Sequence, residues 1–365
     1  MKIADVVAVL EEYAPKALQE NYDNSGLTIG NSSDKVRGIL CSLDVTEEVI
    51  KEAINLGANV IVAHHPVIFG GIKSLTGKNY TERIVIKAIQ NGIAIIAAHT
   101  NVDNVSEGVN KHICTKLGLA NTQILAPMQN QLVKLVTFVP ETNADEVRKA
   151  IFDAGAGQIG NYDNCSYNLS GTGSFRGNES TNPHVGEPGK LHFEQEIRIE
   201  TILPKHFQTR VIRTLIQAHP YEEVAYDVYP LNNEFAAIGA GMTGEFSEEI
   251  KTEAFLKLLK ETFGIPAIKY SGNTNSSIKK IAVCGGSGSF LLDKAIASGA
   301  DAFVTADVKY HQFFDAENTI LYCDIGHYES EQFTKEIFYT LLKKKLSNFA
   351  VHLSNVITNP VKYYL

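Results

Sequence analysis

The 365-residue chain has no excess of basic charge, since 33 Lys+Arg stand against 41 Asp+Glu and leave a formal net charge of −8 at pH 7. With a sequence pI near 5.8 there is no global positive field to hold a polyanion, so no nucleic-acid partner is expected without a local basic patch. Long apolar runs are missing too. Residues 92–98 fall far short of the ~20 that span a bilayer, and the stretch 60–69 is interrupted by His64 and His65. No membrane span is expected. The N-terminus, with Glu11 and Glu12 close behind Asp5, has none of the apolar stretch of a signal peptide. Five widely spaced cysteines without a C-x-x-C pair suggest neither a disulfide framework nor a thiolate zinc site. A cytoplasmic location with reduced thiols is the expectation. What is present, 44% hydrophobic and 20% charged residues, is ordinary for a globular protein. At ~150 residues per domain this length suggests two or three domains.

The first third alternates. Residues 38–43 form an apolar strand candidate, 46–56 have helical periodicity ending at Gly57, and 59–63 are a second strand. A helical pattern over 81–90 stops at Asn91-Gly92, and 93–98 have the all-apolar texture of a buried strand. This predicts an α/β fold with a helix-covered parallel or mixed sheet. From about 123 to 230 the pattern becomes strand-like 133–139, helical 144–154, strand-like 193–202, helical 204–218 and strand-like 225–229. That is typical of a small ferredoxin-like α+β unit, with the Gly-rich stretch 170–190 read as a long loop. Residues 126–235 therefore read as a domain inserted into an α/β domain made of 1–125 and 236–365. Beyond 236 the alternation returns at 278–283, 289–298, 301–305 and 319–323, followed by one long helix over 328–345. Aligning 52–66 with 294–308 matches Ala53 with Ala295, Ile54 with Ile296, Gly57 with Gly299, Ala58 with Ala300 and Val62 with Val304. Chance also produces such matches of small and apolar residues. A true duplication would set two pseudo-symmetric halves with their strand-end loops facing one cleft.

Three strand ends carry chemistry. His64-His65-Pro66 follows a buried strand and reads either as metal ligands or as a polar strand cap. In extended geometry the two rings point to opposite sides, so one metal could take both only if the backbone turns there. The next strand ends in His99-Thr100-Asn101-Val102-Asp103. Asp103 could meet the histidine pair or cap the helix at 107–117, and His99 reads as a packed, hydrogen-bonded residue rather than a ligand. After Cys323 come His327 and Glu331, four apart and so on one helix face, although Glu331 also suits an ordinary first turn. Imidazole and carboxylate without thiolate suit zinc, manganese, iron or cobalt. Two divalent ions against Asp103, Glu331 and three neutral histidines would leave a net +2, a site that demands anions and suits two-metal hydrolysis of a phosphate-bearing substrate. The string 284–289, Cys-Gly-Gly-Ser-Gly-Ser, is either an anion-cradling loop or a tight strand-to-helix turn. Asp307, with His311 four residues on, is a candidate base or support beside the metals, or a plain helix start.

Taken in order, Asn21-Tyr22-Asp23-Asn24-Ser25-Gly26-Leu27, Ser42-Leu43-Asp44-Val45-Thr46, Ala63-His64-His65-Pro66, His99-Thr100-Asn101-Val102-Asp103, the Gly-Gly-Ser-Gly string, Thr305-Ala306-Asp307 with His311, and Gly326-His327-Tyr328-Glu329-Ser330-Glu331 resemble the Nif-three-like proteins, the family of GTP cyclohydrolase one type two homologues. The resemblance implies two similar α/β halves around a metal cleft and a dinuclear site on His64, His65, Asp103, His327 and Glu331, with zinc the first choice of metal. It also implies a toroidal hexamer built as a trimer of dimers. The inserted region is similar to PII and CutA-type modules at 155–167 and at His219-Pro220-Tyr221-Glu222-Glu223, where His219 and Glu222 are expected to serve structure or ligand sensing rather than a metal. Tyr22 departs from the family, in which Trp is commoner, with no effect expected on the metal site. The implied activity is metal-dependent hydrolysis of a nucleotide, such as opening the imidazole ring of GTP. A non-enzymatic, metal-stabilised regulatory protein whose inserted domain senses a ligand is the other class. Metal storage or delivery fits poorly, because buried mixed sites favour retention.

Overall fold

Strands of four apolar or small residues, buried on both faces, set the first half of the chain. After helix α1 (Ile3–Tyr13) and strand β1 (Gly26–Ile29) come β2 (Ile39–Ser42), α2 (Glu47–Asn55), β3 (Val60–Ala63), α3 (Tyr80–Gln90) and β4 (Ala94–Ala97). Every residue of β2, β3 and β4 is buried, as parallel strands covered on two sides require. Strands β2, β3 and β4 are parallel, with Cys41 opposite Val62 and Val62 opposite Ile96, and β1 closes the edge antiparallel to β4. The helices between them start and stop on side-chain chemistry. Thr46 Oγ1 accepts the Val49 N–H at 3.2 Å and Asn79 Oδ1 accepts the Glu82 N–H at 2.8 Å, satisfying orphan first-turn donors. Both helices leave through left-handed glycines, Gly57 (φ 68) and Gly92 (φ 61). Short α4 (Thr100–Asp103), α5 (Val109–Lys116) and β5 (Ala120–Pro127) complete this part.

The computed structural model describes residues 1–272, 274 and 277–364, and the chain divides into two units, Met1–Pro127 with Ala236–Leu365, and Met128–Phe235. The second unit contains β6 (Leu132–Pro140), α6 (Ala144–Asp153), β7 (Tyr167–Phe175), β8 (His192–Pro204), α7 (Gln208–Ala218) and β9 (Tyr226–Leu231). Its antiparallel sheet has the order β7-β8-β6-β9, the connectivity of a split β-α-β unit. Val147, Ile151, Val211 and Leu215 of the two helices pack on Ile199 and Leu203 of β8. The loop expected over 170–190 is a strand in its first part. Gly171 and Gly173 look like loop punctuation, yet they stand opposite Glu196 and Glu194 of β8, and a Cβ at Gly173 would run into the Glu196 carboxylate.

The first unit resumes with β10 (Gly239–Lys251), α8 (Thr252–Phe263), β11 (Lys269–Ser271), β12 (Ser277–Ser287), α9 (Leu292–Ala297), β13 (Ala302–Ala306), β14 (Leu321–Asp324), α10 (His327–Glu331), α11 (Thr334–Lys345) and β15 (Val351–Leu353). Its two sheets have the orders β1-β4-β3-β2-β15 and β11-β14-β13-β12-β10-β5. The run β1 to β4 therefore repeats as β11 to β14, with the same neighbours and the same inner parallel trio, and the aligned stretches 52–66 and 294–308 both fall on a helix followed by the trio's middle strand. Strand alternation sends Cys41, Val62 and Ile96 into a core shared with Ile281, Val283, Val304 and Cys323 of the second sheet, while Leu40, Ile61 and Ile95 face α2 and α3.

The long helix expected over 328–345 is two helices. At the break, the Gln332 amide donates to the Phe263 and Glu329 carbonyls and the Phe333 ring packs on Phe263 at 6.0 Å. Strands β5 and β10 lack an apolar signature: β5 is the exposed edge strand with Asn, Thr and Gln, and the buried first half of β10 is built of Gly, Ala, Met and Thr. Among the described residues no helix is long and apolar enough to cross a membrane.

Phe303 of β13 is fully buried and stacks on Tyr322 of β14 with centroids 5.5 Å apart. Phe303→Ala is expected to cost about 3–5 kcal/mol, read as a lower urea midpoint with an unchanged slope.

Candidate metal centre

The carboxyl ends of β3, β4, β13 and β14 deliver the titratable residues to one place, as open α/β sheets do at a topological switch. At the end of β3 the backbone turns, and the N–H groups of both His64 and His65 donate to the Leu43 carbonyl at 3.0 Å. This turn removes the obstacle posed by an extended pair, and the two rings lie with centroids 4.9 Å apart. Each histidine is then fixed through Nδ1. His64 donates to the Ala98 carbonyl at 2.9 Å. His65 Nδ1 is 2.7 Å from Asp44 Oδ1, His99 Nδ1 is 2.8 Å from Asp23 Oδ1, and His327 Nδ1 is 2.6 Å from Asp307 Oδ2. With Nδ1–H engaged in this way, a neutral ring keeps its Nε2 lone pair free, the arrangement that metal-binding histidines use.

Glu331, only 3% exposed, occupies the centre. Its Oε2 is 2.9 Å from His65 Nε2 and 3.1 Å from His327 Nε2, and its Oε1 is 3.7 Å from His64 Nε2. His64 Nε2 is also 3.7 Å from Asp103 Oδ1. Three groups have donor atoms close enough to hold an ion: His64, Asp103 and Glu331; His65, His327 and Glu331; and His64, His65 and His99. His64 Nε2 and Asp103 Oδ1 are buried with no hydrogen-bond partner. Native proteins rarely leave such atoms unpaired. A nitrogen and a carboxylate oxygen orphaned side by side fit a divalent cation as the missing partner.

The electrostatics follow from burial and pairing. Burial, with the nearby Glu331 charge, holds the Asp103 carboxyl well above the usual range. For Glu331 burial pulls the same way, but the hydrogen bond from His327 and the closeness of the His64 and His65 rings outweigh it and hold the carboxyl well below the usual range. Burial depresses His64. It opposes charge on His65 and His327 as well, yet Asp44 and Glu331 raise the first to about 10, and Glu331 with Asp307 raises the second to about 9. A cation entering the cluster competes with those protons.

Sequence-predicted residues fare differently. His64, His65, Asp103, His327 and Glu331 lie together. Asp103 ends the one-turn α4 and does not cap α5, whose N-cap is Gly108. Asp307, at φ 56, is hydrogen-bonded to His327 Nδ1, the supporting position expected of it. His311, in a 3₁₀ helix over 310–316 that begins after Asp307, does not line the cleft and has its ring against Tyr310 and Phe314. The glycine string does not cradle an anion through its first two amides. The Gly285 N–H donates to Asn110 Oδ1 at 3.0 Å and the Gly286 N–H to Ser330 Oγ at 2.9 Å. Its glycines make room instead, since a Cβ on Gly286 would collide with Glu331 Oε1.

His99, expected only to pack, faces the cluster. Asp44 and Asp23 carried no assigned role. Asp44 is the second residue after β2 just as His65 is the second after β3, so the strand-end rule could have found it, whereas Asp23 sits in a loop with no periodic signal. Over the cluster opens a cleft of about 860 Å³ whose lining includes Glu20, Tyr22, Phe69, Asn110 and Phe290.

The carboxyl ends of the parallel strands of two mixed sheets, around a buried histidine–carboxylate cluster, define an α/β protein with a candidate metal centre. The chain belongs to the Duf34/NIF3 (NGG1p interacting factor 3) family, whose profile matches residues 1–360. It is 42% identical over 371 residues to a GTP cyclohydrolase 1 type 2 homolog of Halalkalibacterium halodurans, covering 100% of both chains. It is 35% identical to the Bacillus subtilis protein of the same name, covering 98% of this chain and 97% of that one. A solved Bacillus cereus protein related to NIF3 superposes with a TM-score of 0.87 at 40% identity, over 100% of this chain and 99% of the other. A Staphylococcus aureus structure gives 0.78 at 32% identity with the same coverage. The family and the α/β fold class expected from the motifs are those observed.

Gly286→Ala is expected to displace Glu331 and lower the metal content per chain, measured by inductively coupled plasma mass spectrometry. Gly299→Ala, at a similar φ of 72 but with open space around the new Cβ, should cost about 1–2 kcal/mol of strain and leave metal content unchanged.

Proposed function

We propose that the chain is a dinuclear metal-dependent hydrolase acting on a phosphate-bearing nucleotide. His64, His65, Asp103, His327 and Glu331 would hold two divalent ions, zinc first, with manganese, iron or cobalt as the other choices that this donor set accepts. The observation that carries the reading is the orphaned pair His64 Nε2 and Asp103 Oδ1 beside a buried, shared Glu331. Bound divalent ions would acidify a water and neutralise phosphate oxygens. The cleft's own composition makes that second contribution necessary, because no lysine or arginine is found among the described residues that line it. Asp44, Ala98 and Asp307 fix the ligand rings through Nδ1. His99, held by Asp23 and lining the cleft, is the group placed to accept or pass a proton. The names of the relatives, GTP cyclohydrolase 1 type 2 homologs, agree with a nucleotide as substrate, and opening of the GTP imidazole ring is the first reaction to test. The proposed setting is a cytoplasmic homohexamer built as a trimer of dimers.

A second reading is favoured by a different observation. The inserted unit has its own cavity of about 560 Å³, lined by Phe138, Gly173, Glu196, Arg198 and Tyr221, on a sheet whose other face is packed by α6 and α7. On this reading the inserted domain is PII- or CutA-like and senses a ligand, and the metals only stabilise a regulatory assembly.

Protein purified without added metal is expected to hold close to two divalent ions per chain, and His64→Ala to lose most of them, by inductively coupled plasma mass spectrometry. Absence of metal, with none regained on adding zinc or manganese, would sink the hydrolase reading. If metal is present, His64→Ala should abolish nucleotide turnover. Assembly that survives in this variant, with no turnover by the wild type on any nucleotide, would favour the regulatory reading.

A further inference from the structure

The cleft above the cluster carries aromatic side chains that packing leaves largely unused. Tyr22 is 70% exposed, Phe69 55% and Phe290 70%, and all three line the cleft. A single exposed aromatic residue is ordinary. Three from separate segments converging on one concave site call for a ligand. Tyr22 lies in the loop before β1, Phe69 in the loop after His65, and Phe290 in the turn after β12, so both halves of the unit contribute.

Their attachments distinguish them from structural aromatics. Tyr80 also lines the cleft, but its hydroxyl is committed to the Val45 carbonyl at 2.9 Å. Tyr22 has no hydrogen-bond partner among the described residues, and Glu20, Asp23 and Asp103 are the acidic groups around it. Phe69 stands edge-on to the His99 ring with centroids 5.6 Å apart and planes at 86°, which keeps it beside the cluster and leaves much of the ring in the cleft. The cleft volume of about 860 Å³ is within the usual span for small-molecule sites, roughly 300–1,000 Å³. With no arginine in the lining, stacking on a guanidinium is unavailable, so aromatic faces are the means this cleft has of holding a flat ring.

We propose that Tyr22, Phe69 and Phe290 form the binding surface for a flat heteroaromatic ring, so that the cleft takes a nucleotide by its base while the cluster takes its phosphates. The inference rests on the metal-dependent phosphate reading above and adds what that reading leaves open, namely which part of the protein selects a nucleotide over a phosphosugar or inorganic phosphate. Because every base offers a π face, the surface favours nucleotides as a class. The three residues position the ligand and take no part in bond breaking.

The test is calorimetric titration of the metal-loaded, full-length protein with GTP and, separately, with inorganic triphosphate. GTP is expected to bind at least about tenfold more tightly, the size of one base–aromatic stack. Tyr22→Leu and Phe290→Leu should each remove about fivefold or more of that preference, while Tyr22→Phe retains it and triphosphate affinity stays unchanged throughout. Metal content, measured on every variant, separates loss of the ring surface from damage to the cluster. Tyr162→Leu, an exposed aromatic (77%) of the inserted unit, should change nothing. Equal affinity for GTP and triphosphate, or leucine variants that bind GTP as the wild type does, would overturn the ring surface and leave the phosphate reading standing. Binding of neither ligand would overturn both.

Discussion

Everything around the cleft is arranged about one buried carboxylate. Removing an ionised carboxylate from water costs several kcal/mol or more unless it is paired, and Glu331 is almost wholly enclosed. Its oxygens are met by His65 and His327 within hydrogen-bond reach and by His64 slightly beyond it. These partners come from different parts of the chain, the two adjacent histidines from the end of β3 and the third from the same short helix as Glu331. The pairing therefore joins the end of the first sheet to the end of the second. Other features serve it: the missing side chain at Gly286, the turn that directs both β3 histidines inward, and the acceptors that hold each Nδ1.

The pairing is incomplete, and that incompleteness is the functional signal. A fully satisfied polar network would stabilise and do nothing more. Here His64 Nε2 and Asp103 Oδ1 are left without partners in a cleft whose described lining has histidine, acidic and aromatic groups but no lysine or arginine. On the functional reading proposed above, charge for an anionic ligand comes from bound cations and affinity for a flat ring from the aromatic side chains at the rim. On that reading the cleft separates two tasks that many phosphate sites merge in arginine.

The two halves of the first unit share strand order and connectivity but diverge where chemistry is done. The middle strand of the first trio ends in His64-His65, that of the second in Ala306-Asp307. One end supplies two imidazole nitrogens to the cluster. The other supplies a carboxylate that orients the His327 ring, carried by the neighbouring strand's loop. A common frame places equivalent strand ends face to face, and side-chain identity then assigns unequal roles.

Much of this was legible in the linear chain. Four-residue apolar runs between helical periodicities identified the parallel trio, because burial on both faces leaves no polar alternation to confuse the pattern. His64, His65, Asp103, His327 and Glu331 could be picked out because each follows a strand end or occupies one helix face. Edge strand β5, its neighbour β10, glycine-bearing β7 and the break between α10 and α11 were not legible, since they depend on partners distant in sequence. Nor was the true service of the glycine string, which is defined by a carboxylate lying 45 residues away. The sequence by itself determined which residues are chemically able to hold a metal and which segments are buried, for those follow from residue type and period. Tertiary structure alone decided that Glu331 sits at the centre, that His99 joins the cluster and His311 does not, and that two donor atoms go unpaired, because each is a matter of distance between groups that the chain order keeps apart.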